Sequence, residues 1–178
     1  MASILNVDQI NNAAGTSAVT IDPSTGKPSF PNGAVLPAGS VIQVVNTTST
    51  TVTEVDSSTT WTTVAGSITI TPTASTSKVL IMHNAGGMAY ANPEGIGFRL
   101  LRDGTVITTH PRYGYKAAPD GTWNSVPFTM IYLDSPTSTS AVTYTFQVNA
   151  TGTNGQWRHN DSSGVSGTAI SIAQEIAQ

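Results

Sequence analysis

Hydrophobic and polar residues alternate with a period of two along most of this chain. Val142-Thr143-Tyr144-Thr145-Phe146-Gln147-Val148 keeps the alternation without a fault. Val142, Tyr144, Phe146 and Val148 are therefore expected to point inward, and Thr143, Thr145 and Gln147 outward. Ser67-Ile68-Thr69-Ile70-Thr71 repeats the pattern and is stopped by Pro72. The last strand, Ala169 to Ile176, carries Ile170, Ile172 and Ile176 on one face. Lys78-Val79-Leu80-Ile81-Met82 is apolar at both parities, which predicts a central strand buried on both faces. Asp103-Gly104 joins Ile96–Arg102 to Thr105–Thr109 and predicts a type I′ hairpin. Asn154-Gly155 is a second hairpin signal. Ala85–Met88 and Pro93–Gly95 read as a loop, and His110 to Trp123 as a longer one. Ser125 to Leu133 reads as a strand ended by Asp134-Ser135-Pro136. No segment has a convincing helical period. About nine or ten short strands with turns every eight to twelve residues or so predict an all-β fold, an antiparallel β-sandwich or jelly roll.

The stretch Leu36-Pro37-Ala38-Gly39-Ser40-Val41-Ile42-Gln43-Val44-Val45 divides two kinds of sequence. Pro37 forbids a continuous helix or central strand across it, and Gly39 frees the backbone to turn. Residues 1–36 form an extended N-terminal arm and residues 37–178 a β head. Ile4, Leu5, Val7 and Ile10 form the arm's first apolar group, whose spacing fits one amphipathic turn or a short strand equally. Val19 and Ile21 sit in an alternating strand, Asp22-Pro23-Ser24-Thr25-Gly26 is a turn, and Phe30 lies in a short extended piece. The arm has too few apolar residues for a core of its own, so it is expected to dock on neighbouring subunits or on a partner. From Asn46 to Thr60 the chain is mostly Thr and Ser, which reads as strands with one solvated face.

Composition sharpens this picture. Of 178 residues only 10% are charged, against roughly 25% in an ordinary soluble domain. Solubility therefore does not rest on charge repulsion, and a strand-rich, weakly charged surface favours assembly. The net charge is −3 and the seven Lys and Arg residues are scattered, so no basic stripe tracks a phosphate backbone and no nucleic-acid partner is expected. There is no cysteine for disulfides or thiolate metal sites. The start Met1-Ala2-Ser3 lacks a signal-peptide pattern, and no apolar run approaches the roughly 18 residues of a membrane span, so folding in a cytoplasm without membrane insertion is expected.

Catalytic constellations are missing from the sequence. His83, His110 and His159 have no metal-ligand spacing, and no nucleophile elbow, zinc-protease, P-loop or dinucleotide-binding motif occurs. No enzyme activity, metal or cofactor is expected. His83 reads as a hydrogen-bonded core residue. The segment with Arg112, Tyr113, Tyr115, Lys116 and Trp123 is the candidate surface-binding loop, because exposed Tyr, Trp and Arg dominate binding hot spots and also stack on sugars. The same aromatics could equally pack on the sandwich or on a neighbouring subunit.

Several short motifs resemble those of tailed-bacteriophage structural proteins, tail fibres especially. They are Ile4-Leu5-x-Val7-x-x-Ile10 with Gly15 to Asp22, the link Pro37 to Val44, Ile70-Thr71-Pro72 with Ser77-Lys78-Val79-Leu80, Phe98 to Arg102, Tyr132 to Pro136, Thr143-Tyr144, and the closing Ile172 to Ile176. The resemblance implies a virion protein, made in the host bacterial cytoplasm. It further implies a homotrimer whose jelly-roll head is like those of the C1q and tumour-necrosis-factor families. The partners implied are copies of itself and other virion proteins; a host-surface glycan is the partner that the aromatic-basic segment from Arg112 to Trp123 suggests. Unlike long tail fibres, the chain has no extended shaft, so a short tail or head fibre and a capsid decoration protein both fit. A free carbohydrate-binding module and a hydrolase with fold-assembled carboxylates are the readings outside the virion class.

Overall fold

The computed structural model describes residues 8–11, 13–30, 36–56, 59–91, 94–116, 124–125, 128–150, 155–162 and 165–178. The chain forms two compact units, Met1–Pro37 and Ala38–Gln178. The first contains a small antiparallel sheet, β1 (Gln9–Asn11), β2 (Ser17–Ile21) and β3 (Pro28–Ser29), in that order. Ile10 is thus in a strand rather than a helical turn. The β2–β3 turn forms as its residues dictate: an Asp22 carboxylate oxygen accepts the Ser24 and Thr25 N–H groups, each at 2.8 Å, and Gly26 takes φ +68°. Those hydrogen bonds hold the Asp22 carboxyl below its usual range. Val19 and Ile21 are half-buried, whereas Ile10 and Phe30 are exposed. Ile4, Leu5 and Val7 lie outside the described residues.

The second unit is entirely β among its described residues. Its strands are β4 (Val41–Ser49), β5 (Thr53–Asp56), β6 (Thr62–Thr63), β7 (Ile68–Ile70), β8 (Lys78–Ala85), β9 (Gly87–Ala91), β10 (Glu94–Arg102) and β11 (Thr105–Lys116). They continue with β12 (Asn124–Ser125), β13 (Phe128–Asp134), β14 (Val142–Ala150), β15 (Gly155–His159), β16 (Asp161–Ser162), β17 (Val165–Ser166) and β18 (Ala169–Ile176). One main sheet has the order β13-β8-β18-β4; the other has β11-β10-β14, with β6 and β7 both on the far side of β14. The path switches between sheets after β4, after β7, after β8, after β11, after β13 and after β14. That alternation, with first and last strands side by side, is the jelly-roll form of an antiparallel sandwich. A smaller sheet, β12-β9-β15-β5, and the pair β16-β17 complete the unit.

The core lies between the two main sheets. Val142, Tyr144, Phe146 and Val148 of β14 point into it, as alternation requires, facing Val79 and Ile81 of β8. Phe98 of β10 meets Phe128 of β13 edge-on at 3.9 Å between ring centroids. Asp103 (φ 48°) and Gly104 (φ 81°) turn β10 into β11, and positive φ at both positions is the type I′ geometry.

Four local expectations are corrected. The segment 110–116 is not loop: β11 runs through it, paired with Glu94–Ile96 of β10. Pro111 is tolerated because β11 is an edge strand, where a missing N–H costs no ladder bond. The presumed loop of 85–95 contains β9, which finds its partners, β15 and β12, far away in sequence. Gly155 opens β15, which pairs with β9 and β5 rather than folding back on β14. Lastly, β8 is central, between β13 and β18, yet only one of its faces is buried.

Candidate functional site

The open face of β8 belongs to a larger surface. Backbone register places the outward residues of β13, β8, β18 and β4 in rows across the sheet: Thr129, Asn84, Ile170 and Thr48; then Ile131, Met82, Ile172 and Asn46; then Leu133, Leu80, Gln174 and Val44. Lys78, Ile176 and Val41 make the last row. This face is mostly apolar and open to water. Ile131 is 67% exposed, Val44 55% and Leu133 50%, and Val41 and Ile170 are exposed as well. Among the described residues Lys78 is its single charged one. A hollow of about 350 Å³ opens among Met82, Asn84, Thr129, Ile131, Ile170 and Ile172.

The inward side explains why these large residues face out. Strand β18 turns Ala169, Ser171, Ala173 and Glu175 toward the core, and all four are buried. Small side chains there make room for the aromatic rings of the opposite sheet. A period-two strand has no third direction, so Ile170, Ile172 and Ile176 must face outward. The shared face of these isoleucines was legible; its direction was not.

Beneath the face runs a buried polar chain. Ser171 Oγ donates to the Gly66 carbonyl at 2.6 Å and therefore accepts from His83 Nδ1 at 2.7 Å. His83 Nε2 is left as the acceptor for His159 Nε2–H, 3.0 Å away. This order assigns a neutral tautomer to each imidazole. The His83 ring also stacks on Phe146 with 4.1 Å between centroids. Burial lowers the His83 pKa to about 3, with the neighbouring His159 adding to the effect, and burial lowers that of His159 to about 4. A serine hydrogen-bonded to a histidine is the skeleton of a nucleophilic site, but this hydroxyl is fully buried and its proton is committed to a carbonyl. The cluster joins β8, β18, β15 and the β6–β7 connection. His83 is thus a hydrogen-bonded core residue, as expected; its pairing with His159, 76 positions away, left no trace in the sequence.

Two further polar ties fix the head. Asp134 of β13 accepts two bonds from Arg102 Nη1 of β10, both 3.0 Å, and one from the Tyr144 hydroxyl of β14 at 2.7 Å. One carboxylate thereby pins the two sheets at one end. Burial, and then the bond to Asp134, raise the Tyr144 pKa. Glu175 of β18 accepts from Thr73 N at 2.7 Å, Thr73 Oγ1 at 2.8 Å and Gln43 Nε2 at 2.6 Å. Burial raises its pKa, but these hydrogen bonds outweigh burial and leave it lowered.

Of the sequence-based binding candidates, Arg112, Tyr113, Tyr115 and Lys116 lie along the second half of edge strand β11. Trp123 lies outside the described residues. The exposed apolar residues Ile131, Leu133, Ile170, Val44 and Val41 were not singled out as a site. Their signal was available: β8 is apolar at both parities, and β18 carries its isoleucines opposite small residues.

No family model and no curated protein matches this chain. Among solved structures, dimeric latent PorU from Porphyromonas gingivalis aligns with 82% of this chain at 11% identity and a TM-score of 0.37. The structure of infectious bursal disease virus, Gx strain, aligns with 90% at 14% identity and a TM-score of 0.33. The VP2 subviral particle of that virus aligns with 98% at 15% identity and a TM-score of 0.32. This chain spans only 14%, 41% and 51% of those three chains, respectively. Similarity of that size does not distinguish one antiparallel β-sandwich from another.

Proposed function

We propose that this chain is a structural protein of a tailed-phage virion, a homotrimeric appendage whose arm, residues 1–36, docks on the particle while the jelly-roll head projects. The observation that carries this reading is the apolar outer face of β13-β8-β18-β4. An isolated head leaves that face in water, whereas a permanent assembly covers it. The low charge of the chain supports the same reading, and the motif resemblance to phage structural proteins supplies the virion class and the threefold symmetry. In this reading the end of β11 that carries Arg112, Tyr113, Tyr115 and Lys116 is the surface offered to a host glycan. The test is to label purified particles with antibody to the head and locate the label by electron microscopy. Label at the tail or at a vertex supports an appendage. Uniform label over the shell moves the protein to the decoration class, and particles without label refute a virion role.

A further inference from the structure

We propose that the outer face of β13-β8-β18-β4 is the contact between copies of this head. The inference rests on the reading of the chain as part of a homo-oligomer and names the surface that makes it.

Three observations select a second copy as the occupant rather than a foreign protein. The first is charge. Among the described residues Lys78 is the face's only charged one, and the polar groups beside the apolar rows are neutral: Asn84, Thr129, Gln174, Asn46 and Thr48. A face with one charge at its end has little with which to select a foreign partner electrostatically. A charge-poor, mostly apolar patch matches the more apolar composition of interfaces between identical chains. The second is extent. The apolar rows cross all four strands and reach both sheet edges, roughly 450 Å² of flat sheet from strand spacing and rise. That is more than half of the about 800 Å² per partner in a standard stable interface. The third is shape. Exposed Ile131 and Leu133 follow one another along β13, and Ile131 is also a wall of the hollow among Met82, Asn84, Thr129, Ile170 and Ile172, so one face carries both large exposed side chains and a recess. A recess and large apolar side chains on one face allow two copies to seat against each other, in a closed pair or around a ring.

The experiment uses the full-length chain at fixed micromolar concentration. In sedimentation velocity, Ile131→Lys/Leu133→Lys should convert the oligomer to monomer, because each lysine puts an unpaired charge into the contact. Val106→Lys, an exposed β11 position in the opposite sheet, should leave the oligomer intact. A second measurement does not depend on the lysine variant folding alone. The chain has no cysteine, so Ile131→Cys and Val106→Cys each create a single thiol. In the assembled protein the thiol at 131 should react with a water-soluble disulfide reagent about tenfold or more slowly than that at 106. If the wild-type chain is a monomer, this inference and the homotrimer both fall. If it is an oligomer in which the position-131 thiol reacts as fast as the position-106 thiol, the assembly reading stands and this face is not the contact. A protected thiol together with a monomeric lysine variant supports the proposal.

Discussion

Acid should unfold this head early, and the buried imidazole pair sets how early. His83 and His159 are neutral in the fold, with pKa values of about 3 and about 4. In the unfolded chain each returns to about 6.5. Below that value the unfolded state binds more protons than the folded state, so stability falls as pH falls. Their contribution is fully present above pH 6.5 and declines through the window down to the folded pKa values. Each histidine costs up to about 1.4 kcal/mol per pH unit once its unfolded form is charged, so the pair approaches a slope of about 3 kcal/mol per unit and loses about 3 kcal/mol between pH 6.5 and pH 5. Against a total of roughly 5–15 kcal/mol for a domain, that loss is a large fraction. Solvent screening does not reduce it, because both rings are fully enclosed. The assay is urea unfolding at fixed protein concentration from pH 7.5 to pH 5, followed by tryptophan fluorescence. His159→Gln leaves one titrating ring and should roughly halve the slope. A wild-type stability that changes by less than about 1 kcal/mol between pH 7 and pH 5 would refute the neutral buried pair. Glu175, whose pKa is lowered by its hydrogen bonds, adds to the acid sensitivity only as pH falls below the ordinary carboxylate range.

The other expectations concern the ties between elements. Asp134→Ala should cost about 2–4 kcal/mol in urea unfolding, because the buried Tyr144 hydroxyl loses its acceptor; Arg102→Ala should cost only about 1 kcal/mol, since Arg102 is partly exposed and its loss leaves Asp134 bonded to Tyr144. Equal losses would mean that the ion pair, not the hydroxyl, holds the sheets. Gly66→Ala should destabilise by roughly 2 kcal/mol or more: Gly66 has φ +107°, and an added Cβ would sit 2.8 Å from Ser171 Oγ and 2.9 Å from His83 Cε1. A thermal midpoint equal to wild type would contradict that close packing. Deleting residues 1–36 should shift the melting of the head by no more than the roughly 2–4 °C that 1 kcal/mol represents, while abolishing incorporation into particles. Particles that take up the shortened chain at full copy number would end the docking role of the arm.

The sequence by itself determined the class of the fold and most of its strands. Alternation placed Val142, Tyr144, Phe146 and Val148 inward, Asp103-Gly104 made the hairpin it calls for, and Pro72 ended β7, because these signals are set by neighbours on the chain. Period two assigns residues to faces but not faces to the core. Only the packing of one sheet on the other decided that Ile170 and Ile172 turn outward over buried Ala173 and Ser171, and that β8 lies open on its Leu80 and Met82 side. Tertiary structure alone also brought His83 to His159 and Asp134 to Arg102 and Tyr144, because each contact joins strands whose separation in the chain carries no local signal. Edge position, which a single strand cannot reveal, allowed β11 to run through Pro111 where the residues suggested a loop. The candidate site has the same origin. Its residues come from four strands between Val41 and Ile176, and they form one apolar surface because the sheet places β18 between β4 and β8.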